Sequence, residues 1–354
     1  MSWDQDVQGL DIGALFKDSD RIDSGLSVAS KYDFYDYAAL HWTEHLALCE
    51  ASASVELKSA AKKLLCISHG NCTTWLKHYR EATTVKVFDI PDEPDALVLA
   101  ARFNLHGILL SLLDECAPYS SSLRNQALFW ASYAGHSRIV KDLLDQDADP
   151  NAQICSKTSL IAAAEHGHLD CVSALLAVAQ IDANARGRNG RTALSYACGN
   201  GHFRIARELL SNPDCRADEG DFNGGTPLFW AVGGDHTAII QMLVRRSDVN
   251  INHRDKSGRT VVSWAAGDGM KKALKNLLRT QGVDANVKDS KGRTPLSWAA
   301  GNGCSETVKI LVQDPRVDKS SIDNDKRNAV SWASASAHLE SLQVLLRLSG
   351  SRKP

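Results

Sequence analysis

The chain has little that would anchor it, charge it or arm it for catalysis. Its 354 residues include no apolar run long enough to span a bilayer, and Met1-Ser-Trp-Asp-Gln-Asp lacks the basic region and apolar stretch of a secretory signal. Net charge is only −2, so no global field favours nucleic acid or an anionic membrane. No Gly-x4-Gly-Lys-Ser/Thr segment occurs, which removes the phosphate-cradling loop and with it nucleotide-driven switching by this chain alone. The nine cysteines are scattered from Cys49 to Cys304 with no Cys-x-x-Cys pair. Such an odd, unpaired set predicts reduced, mostly buried thiols in a cytoplasmic or nuclear protein. No cofactor and no metal is expected.

What the chain does have is a period. Units open at Thr158, Thr192, Thr226, Thr260, Thr294 and Asn328, each 34 residues after the last. A fixed period of this size predicts a solenoid of stacked supersecondary units, and shifts the expectation from catalysis to binding. In the unit from Asp289 to Asn324, Asp289-Ser-Lys-Gly292-Arg predicts a tight turn with Gly292 at positive φ. Thr294-Pro295 predicts an N-cap followed by a first helical residue, and Gly303 a left-handed C-cap. Val308, Ile310, Leu311 and Val312 then form the apolar face of a second helix.

Gly292-Arg-Thr-Pro-Leu-Ser-Trp-Ala-Ala-Gly-Asn-Gly303 and Gly190-Arg-Thr-Ala-Leu-Ser-Tyr-Ala-Cys-Gly-Asn-Gly-His202 resemble the ankyrin repeat. Gln126-Ala-Leu-Phe-Trp130 through Gly135-His136 fits as a further unit, and Asp95-Ala-Leu-Val-Leu-Ala-Ala101 begins a degenerate first one. The resemblance implies an all-α fold: an ankyrin-repeat solenoid of helix-turn-helix units with β-turn tips, about eight units over 95–350, both terminal units being worn caps. Where the family has His after Thr-Pro-Leu, this chain has Ser195, Phe229, Ser263, Ser297 and Ser331, so a hydrogen bond between helices and turns is expected to be lost. The next position holds Trp130, Tyr196, Trp230, Trp264, Trp298 and Trp332. The family places a buried Leu there, which implies packing residues whose removal exposes no site. His136, His168, His202, His236 and His338 match a histidine that in the family bonds neighbouring backbone, with Met270 and Cys304 interrupting the series.

Ahead of the array, residues 1–30 are polar, with Asp at 4, 6, 11, 18, 20 and 23, and are expected to be disordered. Residues 31–90 show helical spacing, through Phe34, Tyr37, Ala38, His41, Trp42, His45 and Leu46, and predict a small helical segment. Tyr35-Asp-Tyr-Ala-Ala-Leu-His-Trp-Thr-Glu-His45 is similar to the helical segment that precedes the array in fungal NACHT–ankyrin (NLR-like) proteins. That likeness implies a stand-alone relative of their recognition half, or a fragment of a longer protein. His41, Glu44 and His45 also match the His-x-x-Glu-His pattern of inverted zinc proteases, with His41 and His45 one helical turn apart as ligands and Glu44 as base. Such a site needs a distant carboxylate ligand and a cleft domain, neither of which the sequence shows, so helix packing is the preferred reading.

The turn tips are basic. Lys157, Arg191, Arg259, Arg293 and Arg327 immediately precede successive helix starts, with Gly225 the exception, and Arg188, Lys256 and Lys291 lie close by. Stacking predicts a cationic stripe that would bind an acidic loop or acidic disordered segment of another protein. Nucleic acid is disfavoured, because interleaved exposed aromatics are missing. The leading expectation is a monomeric, non-catalytic protein–protein interaction module. A nuclear transcriptional co-regulator docking a transcription factor is the alternative, weakened by the lack of a basic localisation run.

Overall fold

The computed structural model describes residue 65, residues 95–114 and residues 119–349. The expected disordered and helical N-terminal segments, with His41, Glu44 and His45, lie outside the described residues apart from residue 65. The chain divides into two compact units, Met1–Cys155 and Ser156–Pro354. Among the described residues there are sixteen helices and no extended strand.

The first unit holds α1 (Ala96–Arg102), α2 (His106–Asp114), α3 (Ser121–Ala134) and α4 (Ser137–Asp145). Asp95 caps α1 by accepting the Leu97 N–H at 2.8 Å. The α3 helix runs 14 residues, against 7 or 8 for the first helices that follow in the chain. No turn glycine or Thr-Pro precedes Gln126, so the helix extends back to a cap at Ser120.

The second unit is six repeats of one helical pair. First helices are α5 (Ser159–His166), α7 (Ala193–Gly199), α9 (Pro227–Gly233), α11 (Val261–Gly267), α13 (Pro295–Gly301) and α15 (Ala329–Ala335). Second helices are α6 (Leu169–Leu176), α8 (Phe203–Ser211), α10 (Thr237–Leu243), α12 (Lys271–Arg279), α14 (Ser305–Gln313) and α16 (Leu339–Ser349). Ala197, Ala231, Ala265, Ala299 and Ala333 recur at one register position of the first helices and are all fully buried. A methyl group at that position lets successive helices approach closely, as the alanine-rich sequence requires. Leu209, Leu243, Leu277 and Leu311 repeat likewise in the second helices and are fully buried. Truncating one of them to Ala carries the usual cost of about 2–5 kcal/mol for a buried leucine.

Capping follows the sequence closely. Thr158, Thr192, Thr260 and Thr294 accept the backbone N–H three residues on at 3.3–3.4 Å, and Asn328 does so at 2.9 Å. The serines that replace the family's histidine lie against these caps: the Oγ atoms of Thr192 and Ser195, and of Thr294 and Ser297, are 3.3 and 3.2 Å apart. Phe229 gives Thr226 no such partner, and the Thr226 hydroxyl is buried without a hydrogen bond. The histidine series bonds backbone as expected: His136 to the Arg102 carbonyl, His202 to that of Glu165 and His236 to that of Gly199, at 3.0–3.2 Å. Cys304 substitutes its thiol, which donates to the Gly267 carbonyl at 3.2 Å.

The tips are tight turns stacked on one another. In each, a hydrogen bond closes the turn, as from Gly292 N–H to the Asp289 carbonyl at 3.0 Å. Each tip then donates one N–H to the tip before it: Phe222 to Asn189, Lys256 to Asn223, Ser290 to Ser257 and Asn324 to Lys291, at 2.9–3.1 Å. Gly292 has φ of 78°, and a Cβ there would meet the Asn324 N at 2.8 Å. Both the left-handed backbone and the close approach of the next tip require glycine.

Candidate protein-binding surface

The arginines that precede the capping residues Thr192, Thr260 and Thr294 do not extend into solvent. Each folds over the first helix and slots between the aromatic ring of its own repeat and that of the next. The Arg191 guanidinium lies 4.1 Å from the Tyr196 ring centroid and 3.7 Å from Trp230. Arg259 lies 4.5 Å from Trp264 and 4.1 Å from Trp298, and Arg293 3.7 Å from Trp298 and 3.8 Å from Trp332. Arg327 continues the series at 4.0 Å from Trp332. A guanidinium is flat and weakly hydrated, so it can present both faces to rings where an ammonium cannot. The same three groups, Arg191, Arg259 and Arg293, donate Nη2–H to the carbonyls of Ser195, Ser263 and Ser297 at 2.8, 3.4 and 3.0 Å. Burial lowers the pKa of each from the ordinary arginine value; Tyr196, Glu165 and Asp221 oppose that shift at Arg191, and neighbouring aspartates oppose it at Arg259 and Arg293. All three remain cations, since guanidinium does not deprotonate in proteins.

Each tryptophan of this ladder is fixed at its other end by an aspartate nine residues earlier. Asp221, Asp255, Asp289 and Asp323 accept the indole N–H of Trp230, Trp264, Trp298 and Trp332 on Oδ2 at 2.9–3.1 Å. Oδ1 of each carboxylate accepts two backbone N–H groups of its own turn, such as Lys291 and Arg293 on Asp289 at 2.9 and 2.8 Å. One carboxylate thus ties the tip, the start of the helix and the ring together. Where the turn has Gly187 instead, the aromatic is Tyr196, which makes no such demand.

The sequence matches bear on this periodicity. Residues 124–154 match the ankyrin repeat, and three overlapping segments, 152–219, 211–289 and 262–353, match ankyrin repeats. The chain belongs to the ankyrin repeat family. Repeats of this family are protein–protein interaction modules and are generally not catalytic. The crystal structure of the ankyrin repeat domain of Bcl-3, described as a unique member of the IkappaB protein family, is similar with a TM-score of 0.54 and 24% identity, covering 62% of this chain and 97% of that one. At that identity the likeness speaks for the fold alone. No curated protein sequence matches the chain. Among the described residues no helix is long and apolar enough to cross a membrane, and no group of His, Cys, Asp and Glu is arranged to hold a metal ion.

Seen on the ankyrin framework, the eight predicted cations separate into two sets. Arg191, Arg259, Arg293 and Arg327 are half-buried or buried in the aromatic ladder, and Arg327 is also ion-paired with Asp323 and Asp325. Lys157 is paired with Glu165 at 2.5 Å. Arg188, Lys256 and Lys291 are exposed and, among the described residues, form no ion pair. The expectation of a purely packed aromatic column also needs correction. Trp130 is fully buried and Tyr196 nearly so, but Trp230, Trp298 and Trp332 are half-buried and Trp264 is 36% exposed. Aromatics and cations are interleaved after all. Most of the ring faces are nevertheless covered by the chain's own guanidinium groups, which leaves little for bases to stack on. The aspartate clamp was missed at the sequence level, although its signal was present: four consecutive repeats place Asp nine residues before Trp.

Proposed function

We propose that this chain is a non-catalytic ankyrin module that, as a monomer in the cytoplasm or nucleus, binds an acidic loop or acidic disordered segment of another protein through its turn tips and first-helix face. The observation that carries this reading is the division among its cations. Those at the helix starts are consumed by the ladder, whereas Arg188, Lys256 and Lys291 stand at the tips with no internal carboxylate to satisfy them. Exposed guanidinium and ammonium groups on a rigid backbone suit carboxylates of a flexible segment. The compartment is supported by the cysteines: Cys171, Cys198 and Cys215 are free and buried, and burial pushes the Cys171 thiol up to about 12 and Cys215 up to about 11. Neutral, buried thiols pack as small apolar groups and need no oxidant.

The test is affinity capture by the tagged parent and by the triple variant Arg188/Lys256/Lys291→Glu, after circular dichroism shows that both fold alike. The expected result is a partner held by the parent and lost by the variant, with weaker retention at high salt. Equal retention by both overturns the assignment to the tips. Reversal of Arg191, Arg259 or Arg293 would not serve, because a carboxylate there would stand unpaired among the rings.

A further inference from the structure

The repeat opened by Thr226 departs from its neighbours at one ladder position. Arg191, Arg259 and Arg293 each precede a capping threonine, and in this repeat Gly225 does. The space that would hold its guanidinium lies between Trp230 and Trp264. Among the described residues Arg191 is the only cation over Trp230 and Arg259 the only one over Trp264, so that space holds none. A second observation does not depend on the cations. A Cβ placed on the last residue of the first helix would meet an arginine Nη2 at 2.8 Å for Gly199, 3.4 Å for Gly267 and 2.8 Å for Gly301. The tryptophan of the following repeat would also be met at the same three glycines, at Cβ of Trp230 and Trp298, 3.5 and 3.3 Å away, and at the indole of Trp332, 3.4 Å away. At Gly233 nothing lies within 4 Å. The far wall, Trp264, is the most exposed of the described tryptophans, and Phe229 meets it only in a T-shaped contact at 6.3 Å.

We propose that the slot between Trp230 and Trp264 binds an arginine side chain of a partner protein, which completes the ladder that the chain completes for itself at Arg191, Arg259 and Arg293. The occupant is identified by the equivalent positions, where a guanidinium fills the same space between two rings. The charge also fits. Asp221 and Asp255, which anchor the two rings, flank the slot as Asp289 and Asp323 flank Arg293. The Phe229 carbonyl stands in the register of the Ser195, Ser263 and Ser297 carbonyls that accept a guanidinium N–H. Lysine lacks the flat second face, and citrulline lacks the charge. The inference deepens the protein-binding reading and rests on it: the bound segment carries an arginine for the slot beside acidic residues for the tips.

The experiment titrates the full chain with acetyl-Gly-Arg-Gly-amide and follows the indole N–H resonances by NMR. The resonances of Trp230 and Trp264 are expected to shift saturably, those of Trp298 and Trp332 to stay in place, and the lysine and citrulline peptides to bind at least tenfold more weakly. Gly225→Arg should abolish the shifts by supplying the chain's own guanidinium. The substitution is accommodated locally, because the Gly225 N–H already bonds Asp221 Oδ1 at 2.8 Å, as the Arg259 and Arg293 N–H groups bond Asp255 and Asp289 at 2.9 and 2.8 Å. The nearest atoms its Cβ would meet are those of the Asp221 carboxylate, the closest at 3.0 Å. Should that variant fail to fold, Trp264→Leu removes one wall and should likewise abolish the shift at Trp230. Shifts spread over all the indoles, equal binding of the lysine peptide, or binding that survives both substitutions would overturn the slot. The peptide titration needs no partner, so its failure is separate from that of the tip assignment. Charge reversal at Arg188, Lys256 and Lys291 should leave peptide binding unchanged.

Discussion

The repeat opened by Thr226 and the repeat opened by Thr294 share one backbone and differ in what lies between their tryptophans. Both close the same turn, stack the same tip on its predecessor, and hold an indole N–H on an aspartate, at 3.1 Å for Asp221 and 3.0 Å for Asp289. One then fills the space beyond its ring with Arg293, and the other leaves it open above Gly233. The scaffold is therefore independent of the ladder: hydrogen bonds and buried leucines build the repeat, and the stacked guanidinium closes its surface. A position that the fold does not need is one that function can use.

The largest test of this contrast is truncation of the rings. Trp298 lies between Arg259 and Arg293, whereas Trp264 has only Arg259. Trp298→Ala should cost about 3 kcal/mol, the low end of the range for large aromatic truncations because the ring is half-buried. Trp264→Ala should cost roughly half that, since it surrenders one stacked cation and less buried area. Urea unfolding of the two variants decides it. Equal losses would mean that the missing guanidinium leaves no energetic trace, and the contrast between the repeats would fail.

Much of this architecture was legible in the sequence. The 34-residue spacing located every first helix from Thr158 onward, because caps and turn glycines act over a few residues and leave local marks. The ladder was not legible, since it depends on where long side chains turn after they leave the backbone. Arg259 next to Thr260 reads as a solvated tip residue, and only the packed rings of two repeats show that it folds inward. The same holds for the tryptophans, which look like substitutes for a buried leucine but sit at its edge. Gly225 interrupts a row of cations, and the meaning of that gap appears only when the row is seen to be a stack.

Acid should separate the aspartate clamp from the ladder. Burial pushes the Asp323 carboxyl up, but the Arg327 N–H, the Trp332 indole, the Asp325 N–H and the Arg327 charge together hold it below its ordinary value. A carboxylate with a depressed folded pKa contributes stability that is complete above the unfolded pKa and is lost as pH falls through the folded one. That places the loss below about pH 4, starting from the usual aspartate value. Asp323→Asn removes this part of the dependence and costs about 1.5–3 kcal/mol at neutral pH, by breaking hydrogen bonds to a charged acceptor. Thermal melts of parent and variant from pH 7 to pH 3 should therefore converge. Parallel melting curves down to pH 3 would mean that the carboxylate is not what holds the last turn.

The smallest effect distinguishes an inner tip from the last one described. Gly292 turns at φ of 78° beneath the tip that follows it, while Lys326 makes the equivalent turn at 62° with a side chain. A left-handed conformation costs an L-residue about 1–2 kcal/mol. Glycine removes that cost and returns part of the gain through the greater freedom of its unfolded chain. Lys326→Gly should therefore stabilise the array by about 0.5–1 kcal/mol. Gly292→Ala should act in the opposite direction and by more, because its Cβ would also press on Asn324, 2.5 Å from Oδ1 and 2.8 Å from the backbone N. Denaturant midpoints that move in opposite directions for the two variants would show that the glycines of the inner tips serve stacking as well as turning. Midpoints that rise for Lys326→Gly and hold for Gly292→Ala would leave backbone conformation as the only demand made at either tip.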